Sequence, residues 1–382
     1  MKTRHRRNTQ QFNPEIQTPE KPRLLRTKAA KIAAPGLSLA LTSLLLVVSQ
    51  ASEPSFFFST GAPDGLMATA TRPGPASGAN QETESGDDFI LSSQTLINSA
   101  TITGLLPAGV NLSDVSQVRV EIYRVFPKDS DVNRTPHVPT RVNSPSDVEL
   151  VDRDSTAGNL TFTAKQLAAS FTAANSVDTG IHPSPNQTTH GEGPKTGKEV
   201  ELDVTFTTPF NLPADHYFLV PQVLLTDPNQ HFLWLSAPKP IVAPGTPFPA
   251  GTTDLQEWIR NAGLDPDWLR VATDIVGVAP PTFNTTFSLS GEIDADGDGV
   301  FGSADLCPDT PVGAVVNSDG CSIDQLAPCA GPASGGAWKN HGEYVSTVAR
   351  VSGEFLALGL ISEEEEEEII AAAAQSNCGS KR

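Results

Sequence analysis

The sequence predicts a mainly β protein: an antiparallel β-sandwich, jelly-roll-like, followed by a calcium-binding loop and a small α-helical hairpin. Apolar and polar side chains alternate along residues 117–122 and 200–206, which is the period of a strand with one buried face. Stretches rich in Pro, Gly, Asn and Asp separate further candidate strands. An Asp-rich loop and two helical patterns follow, so the non-β part is expected at the C-terminal end.

Composition and charge exclude several classes of protein. The 382 residues include 30 Gly and 32 Pro, with only 18% charged residues, which argues against a coiled coil or a helical bundle. The commonest nucleotide-binding, zinc-protease and serine-hydrolase motifs do not occur. The net charge is −18. This acidity disfavours nucleic acid as a partner and suits an exported protein or one that collects divalent cations.

Residues 1–51 have the order of a secretory signal peptide. Nine Lys and Arg residues precede a mostly apolar stretch at residues 37–48, and the small residues Ser49 and Ala51 then flank a candidate cleavage site. The alternative is an uncleaved membrane anchor, but a helical span needs about 20 apolar residues. We therefore expect residues 1–51 to be removed, and we expect no transmembrane segment in the mature chain.

Residues 52–291 are predicted to form the β-sandwich, since about 240 residues can bury one such core. Asp87 and Asp88, just before Phe89, are expected at a solvated strand edge, with a second ion site as the alternative. One helical insertion is predicted at residues 253–262, capped by Asp254. The candidate strands are residues 88–91, 96–103, 160–163, 217–225, 231–235 and 285–290.

Three segments of this body are similar to a group of exported bacterial proteins. They are Phe58-Ser59-Thr60-Gly61 with Pro63-Asp64-Gly65, then Glu84 with Asp87-Asp88-Phe89, and then Val120-Glu121-Ile122-Tyr123-Arg124-Val125-Phe126-Pro127. The resemblance implies a secreted β-rich domain, and it implies no particular activity.

Residues 294–305 follow the spacing of a calcium-binding loop. Gly299 stands at position 6, where such a loop turns sharply. Calcium prefers six to eight oxygen ligands, and this spacing wraps oxygens around one point. The alternative is a solvated acidic linker. The predicted ligands at positions 1, 3, 5, 7 (through its carbonyl) and 12 are Asp294, Asp296, Asp298, Val300 and Asp305.

The flanks of this loop indicate its type. A strand-like segment at residues 287–291 precedes it, which argues against a helix-loop-helix hand. With the segment from Asp305 to Cys321 that follows, residues 293–322 resemble a thrombospondin type 3 repeat. The resemblance implies calcium held by the four aspartates and a disulfide that clamps the turn. Many such repeats have Asp at the ninth loop position, where this chain has Gly302. A water molecule is therefore expected to take the place of that ligand.

Four cysteines lie in the last 76 residues, and an even number in an exported chain indicates disulfides. Three connectivities are possible. We expect local pairs, because each then closes one of the two C-terminal modules. Zinc is the alternative, but no C-x-x-C pair is present. The predicted disulfides are Cys307–Cys321 and Cys329–Cys378.

The last module is predicted to be a disulfide-closed helical hairpin. Its first helix is expected over residues 338–358, with Gly359 at its C-terminal cap. Ser362 and Glu365 have the spacing of a capping box for the second helix. Six Glu residues at positions 363–368 then suit a helix N-terminus, where the macrodipole favours negative charge.

The predicted organisation is therefore a signal peptide (1–51), the β-sandwich (52–291), the calcium repeat (292–324) and the helical hairpin (325–382). We expect a noncatalytic protein with a calcium-stabilised linker, secreted or in the cell envelope, that binds a surface polymer or a protein partner. The alternative is an enzyme acting on an extracellular polysaccharide or another polymer. No two carboxylates are marked as a glycosidase pair, and Trp and Tyr, which stack on sugars, are few.

Overall fold

The computed structural model describes residues 55–74, 81–133, 141–181, 188–278 and 282–380. The predicted signal peptide lies outside these residues. The protein is mainly β, with 38% strand and 16% helix, which confirms the predicted fold class. In the described ranges, fifteen strands form two sheets and three α-helices follow them.

The larger sheet has nine strands, and all its pairings are antiparallel except that of β2 with β8. Its central path has the order β1-β15-β4-β11-β2-β8; β9 pairs with β4, β7 with β9, and β14 with β11. The strands are β1 (Ser55–Ser59), β2 (Met67–Ala70), β4 (Thr95–Leu106), β7 (Thr161–Ala173), β8 (Asn175–Val177), β9 (Lys195–Leu212), β11 (Leu233–Ala237), β14 (Asn284–Thr285) and β15 (Phe287–Ile293).

The smaller sheet has six antiparallel strands in the order β13-β12-β3-β10-β5-β6. Every strand predicted from the sequence overlaps an observed strand of one sheet or the other. The strands of this sheet are β3 (Thr83–Leu91), β5 (Val115–Arg124), β6 (Val151–Asp154), β10 (Asp215–Leu225), β12 (Trp258–Asn261) and β13 (Leu269–Arg270).

The main core lies between the two sheets. Val120 and Ile122 of β5 and Leu202 of β9 are fully buried in one cluster that draws on both sheets. These residues are the apolar positions of the two alternating segments, 117–122 and 200–206. The alternation in the sequence therefore correctly identifies which face of each strand points into the core. Each such side chain contributes about 1.5–3 kcal/mol relative to an exposed one.

The outer face of the smaller sheet is covered by an apolar cluster that the sequence pattern does not predict, in which Trp258 and Trp268 pack with Tyr123. The helix predicted at residues 253–262 is wrong: β12 pairs there with β3, and Trp258 and Ile259 are both fully buried. Asp254 does not cap a helix, because its Oδ1 accepts a hydrogen bond from Lys239 Nζ at 2.5 Å. Aromatic and β-branched side chains suit a strand covered on both faces, so tertiary packing outweighs the local helical pattern.

Asp87 and Asp88 are also not at a solvated edge, since each is 1% exposed. Asp87 Oδ2 accepts a hydrogen bond from the backbone N of Thr285 in β14, at 2.6 Å. Asp88 Oδ2 lies 2.6 Å from His216 Nε2. The Asp87 contact joins the smaller sheet to the larger one, whereas Asp88 points to the opposite face of β3, where its Oδ2 also accepts a hydrogen bond from Leu255 N at 3.1 Å.

Three helices complete the chain: α1 (Ile323–Leu326), α2 (His341–Ala357) and α3 (Glu363–Gln375). The predicted capping box at α3 is confirmed, with Ser362 Oγ accepting from Glu365 N and Glu365 Oε2 accepting from Ser362 N at 2.7 Å. Gly359 follows α2 with φ +71°, as its cap requires. α2 begins three residues later than predicted, because Asn340 provides its N-terminal cap by accepting a hydrogen bond from Glu343 N.

Candidate metal centre

The Asp-rich loop is attached rigidly to the sandwich at its first residue. β15 pairs with β1 and β4 along its length. Immediately after β15, Asp294 donates its backbone N–H to the carbonyl of Gln94 at 3.0 Å, and its side chain is buried. The larger sheet therefore fixes the point from which the loop starts.

Three predicted ligands come together in this loop. One carboxylate oxygen from each of Asp294, Asp296 and Asp298 lies within 4.8 Å of the other two. The backbone wraps around Asp294, whose two oxygens accept hydrogen bonds from Gly297 N at 2.7 Å and Gly299 N at 2.9 Å. Gly299 has φ +94°, a conformation that glycine adopts at little cost. The sharp turn predicted at loop position 6 is therefore present.

Asp298 supplies the strongest indication that a cation fits this cluster. Its Oδ1 accepts a hydrogen bond from the backbone N of Val300 at 2.8 Å. Its Oδ2 is buried and has no hydrogen-bond partner. A buried, unpartnered carboxylate oxygen is costly. A metal ion shared with Asp294 and Asp296 would satisfy this oxygen, so the oxygen donors present fit a hard divalent cation.

Asp305 is near the cluster but is not one of the three mutually close carboxylates. Burial and then the negative charges of Asp296, Asp298 and Asp294 raise the pKa of Asp305, against the hydrogen bond that its Oδ1 accepts from Cys307 N at 2.8 Å. A Cβ atom placed on Gly320 would lie 2.3 Å from Asp305 Oδ1 and 3.1 Å from Asp298 Oδ2. Glycine at residue 320 therefore leaves room for both carboxylates.

Val300 follows the cluster, is half-buried and donates its N–H to Asp298; its role as a carbonyl ligand remains a prediction. Gly302, at the ninth loop position, has φ +53°. A Cβ atom at Gly302 would lie 2.8 Å from Glu292 Oε2. A carboxylate from β15 therefore fills the space where a ninth-position side chain would begin. Sequence reasoning missed Glu292, because it precedes the loop by two residues and follows no metal-binding spacing.

The second half of the repeat folds back onto the aspartates. Thr310 donates its backbone N–H to Asp296 Oδ2 at 2.6 Å, and its hydroxyl lies 2.7 Å from the carbonyl of Gly320 and 2.8 Å from Gln325 Oε1. The predicted disulfide between Cys307 and Cys321 closes this turn. The aspartates, the disulfide and the start of α1 are thus parts of one connected unit.

A cleft of about 800 Å³ lies elsewhere, beside β12. Asp254 is the one carboxylate among its lining residues, and it is paired with Lys239. A second lining cation, Arg270, is paired with Asp274 at 2.6 Å. Two facing carboxylates, which glycoside hydrolysis requires, do not line this cleft in the described part of the chain.

The chain matches no known family model, and no curated protein matches it significantly. Within the ranges that the structure describes, no helix combines the length and apolar character needed to cross a bilayer. Both predicted disulfides are present, Cys307–Cys321 and Cys329–Cys378. Disulfides persist in oxidising surroundings, so this pairing fits a secreted or extracellular protein.

Proposed function

We propose that this is a noncatalytic exported protein in which calcium joins the β-sandwich to the C-terminal helices. The observation that carries the proposal is the buried, unpartnered Oδ2 of Asp298 within a cluster of three carboxylates. The exported location is supported by the signal-peptide order of residues 1–51 and by the two disulfides. The proposed ligands are Asp294, Asp296, Asp298, Asp305 and the carbonyl of Val300.

The donor set favours calcium over other common metals. All proposed ligands are oxygens, which suit hard cations, whereas zinc prefers sulfur and nitrogen. All four cysteines are in disulfides, so none supplies a thiolate. Magnesium usually retains several waters and is seldom held by a cage of protein ligands. A flexible ring of carboxylates and carbonyls is what calcium accepts.

The role proposed for the ion is structural. Four aspartates lie within twelve residues, and each close pair of like charges costs about 1–4 kcal/mol at separations near 4 Å. Calcium offsets this repulsion and draws Asp298 and Asp305 toward Asp294, which is attached to the sandwich through Gln94. The ion would therefore fix the end of β15 relative to the disulfide-closed segment that follows.

Replacing Asp298 with asparagine tests this proposal most directly. We expect Asp298→Asn to weaken calcium binding by about tenfold or more, because it removes one negative charge and one ligand oxygen. The matched control is Asp319→Asn, which changes an exposed aspartate of the same repeat outside the cluster of three. Calorimetry with calcium and with magnesium would measure both variants. Equal calcium affinity in the two variants, or an absence of calcium-specific heat in the unmodified protein, would refute the site.

Replacing Gly302 with aspartate should not strengthen calcium binding, although it restores the residue common at the ninth position of similar repeats. The new side chain would meet Glu292 at a φ of +53°, so we expect unchanged or weaker affinity and a loss of about 1–3 kcal/mol in stability from backbone strain, close packing and charge repulsion. Adding Glu292→Gln should recover part of that loss by removing the charge repulsion. Calorimetry and urea unfolding would measure both effects. Tighter calcium binding by Gly302→Asp alone would show that Glu292 does not occupy this space.

A further inference from the structure

The C-terminal part of the chain carries a large excess of negative charge. Residues 294–380 contain fifteen Asp and Glu but only two basic residues, Lys339 and Arg350. Both cations are engaged by neighbours on α2, Lys339 with Glu343 at 3.4 Å and Arg350 with Glu354 at 2.6 Å. Thirteen negative charges are left over in this segment, and one bound calcium ion would offset only two of them.

An apolar groove of about 360 Å³ opens on this acidic surface. It lies between α1, α3 and the loop at residues 311–315, and its acidic lining residues are Asp324, Glu365 and Glu368. The groove floor continues the hydrophobic cluster of Phe355 that holds the helices together. The described residues that line it include no Lys or Arg. Its apolar lining residues are Pro311, Ala314, Val315, Ile323, Ile361 and Ile369.

We propose that this groove docks a cationic amphipathic segment of a partner protein. Apolar surface rimmed by charge marks an interaction site, and the rim here selects a partner of positive charge. Anionic lipid surfaces and nucleic acids would be repelled. A second copy of the chain would bring its own excess of negative charge against this one. The inference goes beyond the proposed function and does not require calcium.

The walls of the groove indicate how the partner binds. They are two helices and a loop, so no sheet edge is available for an added strand. Binding of an amphipathic helix in a groove is then the fitting mode, with apolar anchors on one face. On α3, Glu364 and Glu368 are four residues apart and repel each other. Lys or Arg side chains flanking the anchors would relieve this repulsion and pair with the rim.

The probe for this proposal is a fluorescein-labelled synthetic helix of fourteen Leu and Lys residues, with Leu at i, i+3, i+4 and i+7. We expect it to bind the complete chain by fluorescence anisotropy, with an affinity that falls as salt is raised. A scrambled peptide of the same composition should bind at least about fivefold more weakly, since its Leu residues share no face.

Two pairs of variants separate a specific groove from general attraction between charges. Asp324→Asn with Glu368→Gln should weaken binding by about fivefold, whereas Glu363→Gln with Glu367→Gln, which removes the same charge from α3 outside the groove, should change it less than about twofold. Val315→Ser should weaken binding by about fivefold. Val312→Ser is its control, because Val312 is 91% exposed and does not line the groove.

Absence of peptide binding, or equal losses in the paired variants, would overturn the proposal. Sedimentation of the same samples would also overturn it if it showed a dimer that Val315→Ser disrupts, because a second copy would then be the occupant. Calorimetry with calcium on the same samples measures ion binding independently of peptide binding. Lost peptide binding with intact calcium binding would refute only the groove, and the reverse result would refute only the calcium site.

Discussion

Replacing Glu84 with alanine should lower the free energy of unfolding by about 3–5 kcal/mol, because it removes the buried anion of Arg260 and leaves that buried guanidinium only Asp265, whose side chain is 63% exposed, as an ion-pair partner. Glu84 on β3 and Arg260 on β12 are 6% and 5% exposed. Arg260 donates from Nε to Glu84 Oε2 and from Nη2 to Glu84 Oε1, the second at 3.0 Å.

The pair belongs to a larger buried network on the outer face of the smaller sheet. The Tyr123 hydroxyl accepts a hydrogen bond from Arg260 Nη2 at 2.8 Å and lies 2.9 Å from Glu84 Oε1 and 3.0 Å from Glu121 Oε2. The guanidinium of Arg260 also lies 4.5 Å from the ring centroid of Trp268. Removing Glu84 therefore disturbs β3, β5 and β12 together.

Urea unfolding would measure this loss, with Glu354→Ala as the matched control. Glu354 forms an exposed pair with Arg350 on α2, so its removal should cost less than about 1 kcal/mol. The double variant Glu84→Gln with Arg260→Met removes both charges and should recover part of the stability lost in Glu84→Ala. If Glu84→Ala costs no more than Glu354→Ala, the buried pair does not hold these strands together.

This network also shows where sequence patterns stop being informative. The alternation in β5 correctly predicts that Val120 and Ile122 face the core. It equally predicts that Glu121 faces solvent, yet Glu121 is 2% exposed. A period of two cannot reveal that the outer face is covered as well, and the covering side chains, such as Trp258 and Trp268, come from far along the chain. The wrong helix prediction at residues 253–262 has the same cause.

Features set by neighbours in sequence are predicted well. The capping box of Ser362 and Glu365 needs only a spacing of three residues. The close approach of Asp294, Asp296 and Asp298 needs only a short loop with glycine at its turn. The acidic groove between α1 and α3 depends on how a loop, two helices and a repeat pack together. No local pattern encodes that packing.

Raising the pH from about 5 to 8 should destabilise the folded protein, because two buried glutamates prefer their neutral form. Burial, and then the charge of Glu84, raises the pKa of Glu121 to about 9. Burial, with a smaller contribution from the charge of Asp64, raises the pKa of Glu257 to about 8. Arg119 lies 2.9 Å from Glu121 but also contacts Asp152 at 3.0 Å, so neutral Glu121 leaves Arg119 an anionic partner.

The direction in which stability changes with pH is set by comparison with the unfolded state, where a glutamate titrates near pH 4.5. A folded pKa above that value gives stability that is complete below about pH 4.5 and is lost as the pH rises toward 8 or 9. Each group costs about 1.4 kcal/mol per pH unit in this window, or on the order of 3 kcal/mol between pH 4.5 and 7. Asp178 and Asp215 have lowered pKa values, so their contributions are lost only in stronger acid. We therefore expect maximum stability near pH 5.

Glu257 offers the cleaner test, because no basic side chain pairs with it among the described residues. Its Oε1 accepts a hydrogen bond from Thr69 Oγ1 at 2.5 Å, and its Oε2 is buried without a partner. Glu257→Gln imitates the neutral form, so we expect it to be about 4 kcal/mol more stable than the unmodified protein at pH 8 and within about 1 kcal/mol of it at pH 5. Urea unfolding at pH 5, 6, 7 and 8 would give both slopes, with the exposed Glu354→Gln as control. Parallel curves for Glu257→Gln and the unmodified protein would show that Glu257 is ionised in the folded state and that its burial carries no pH-dependent cost.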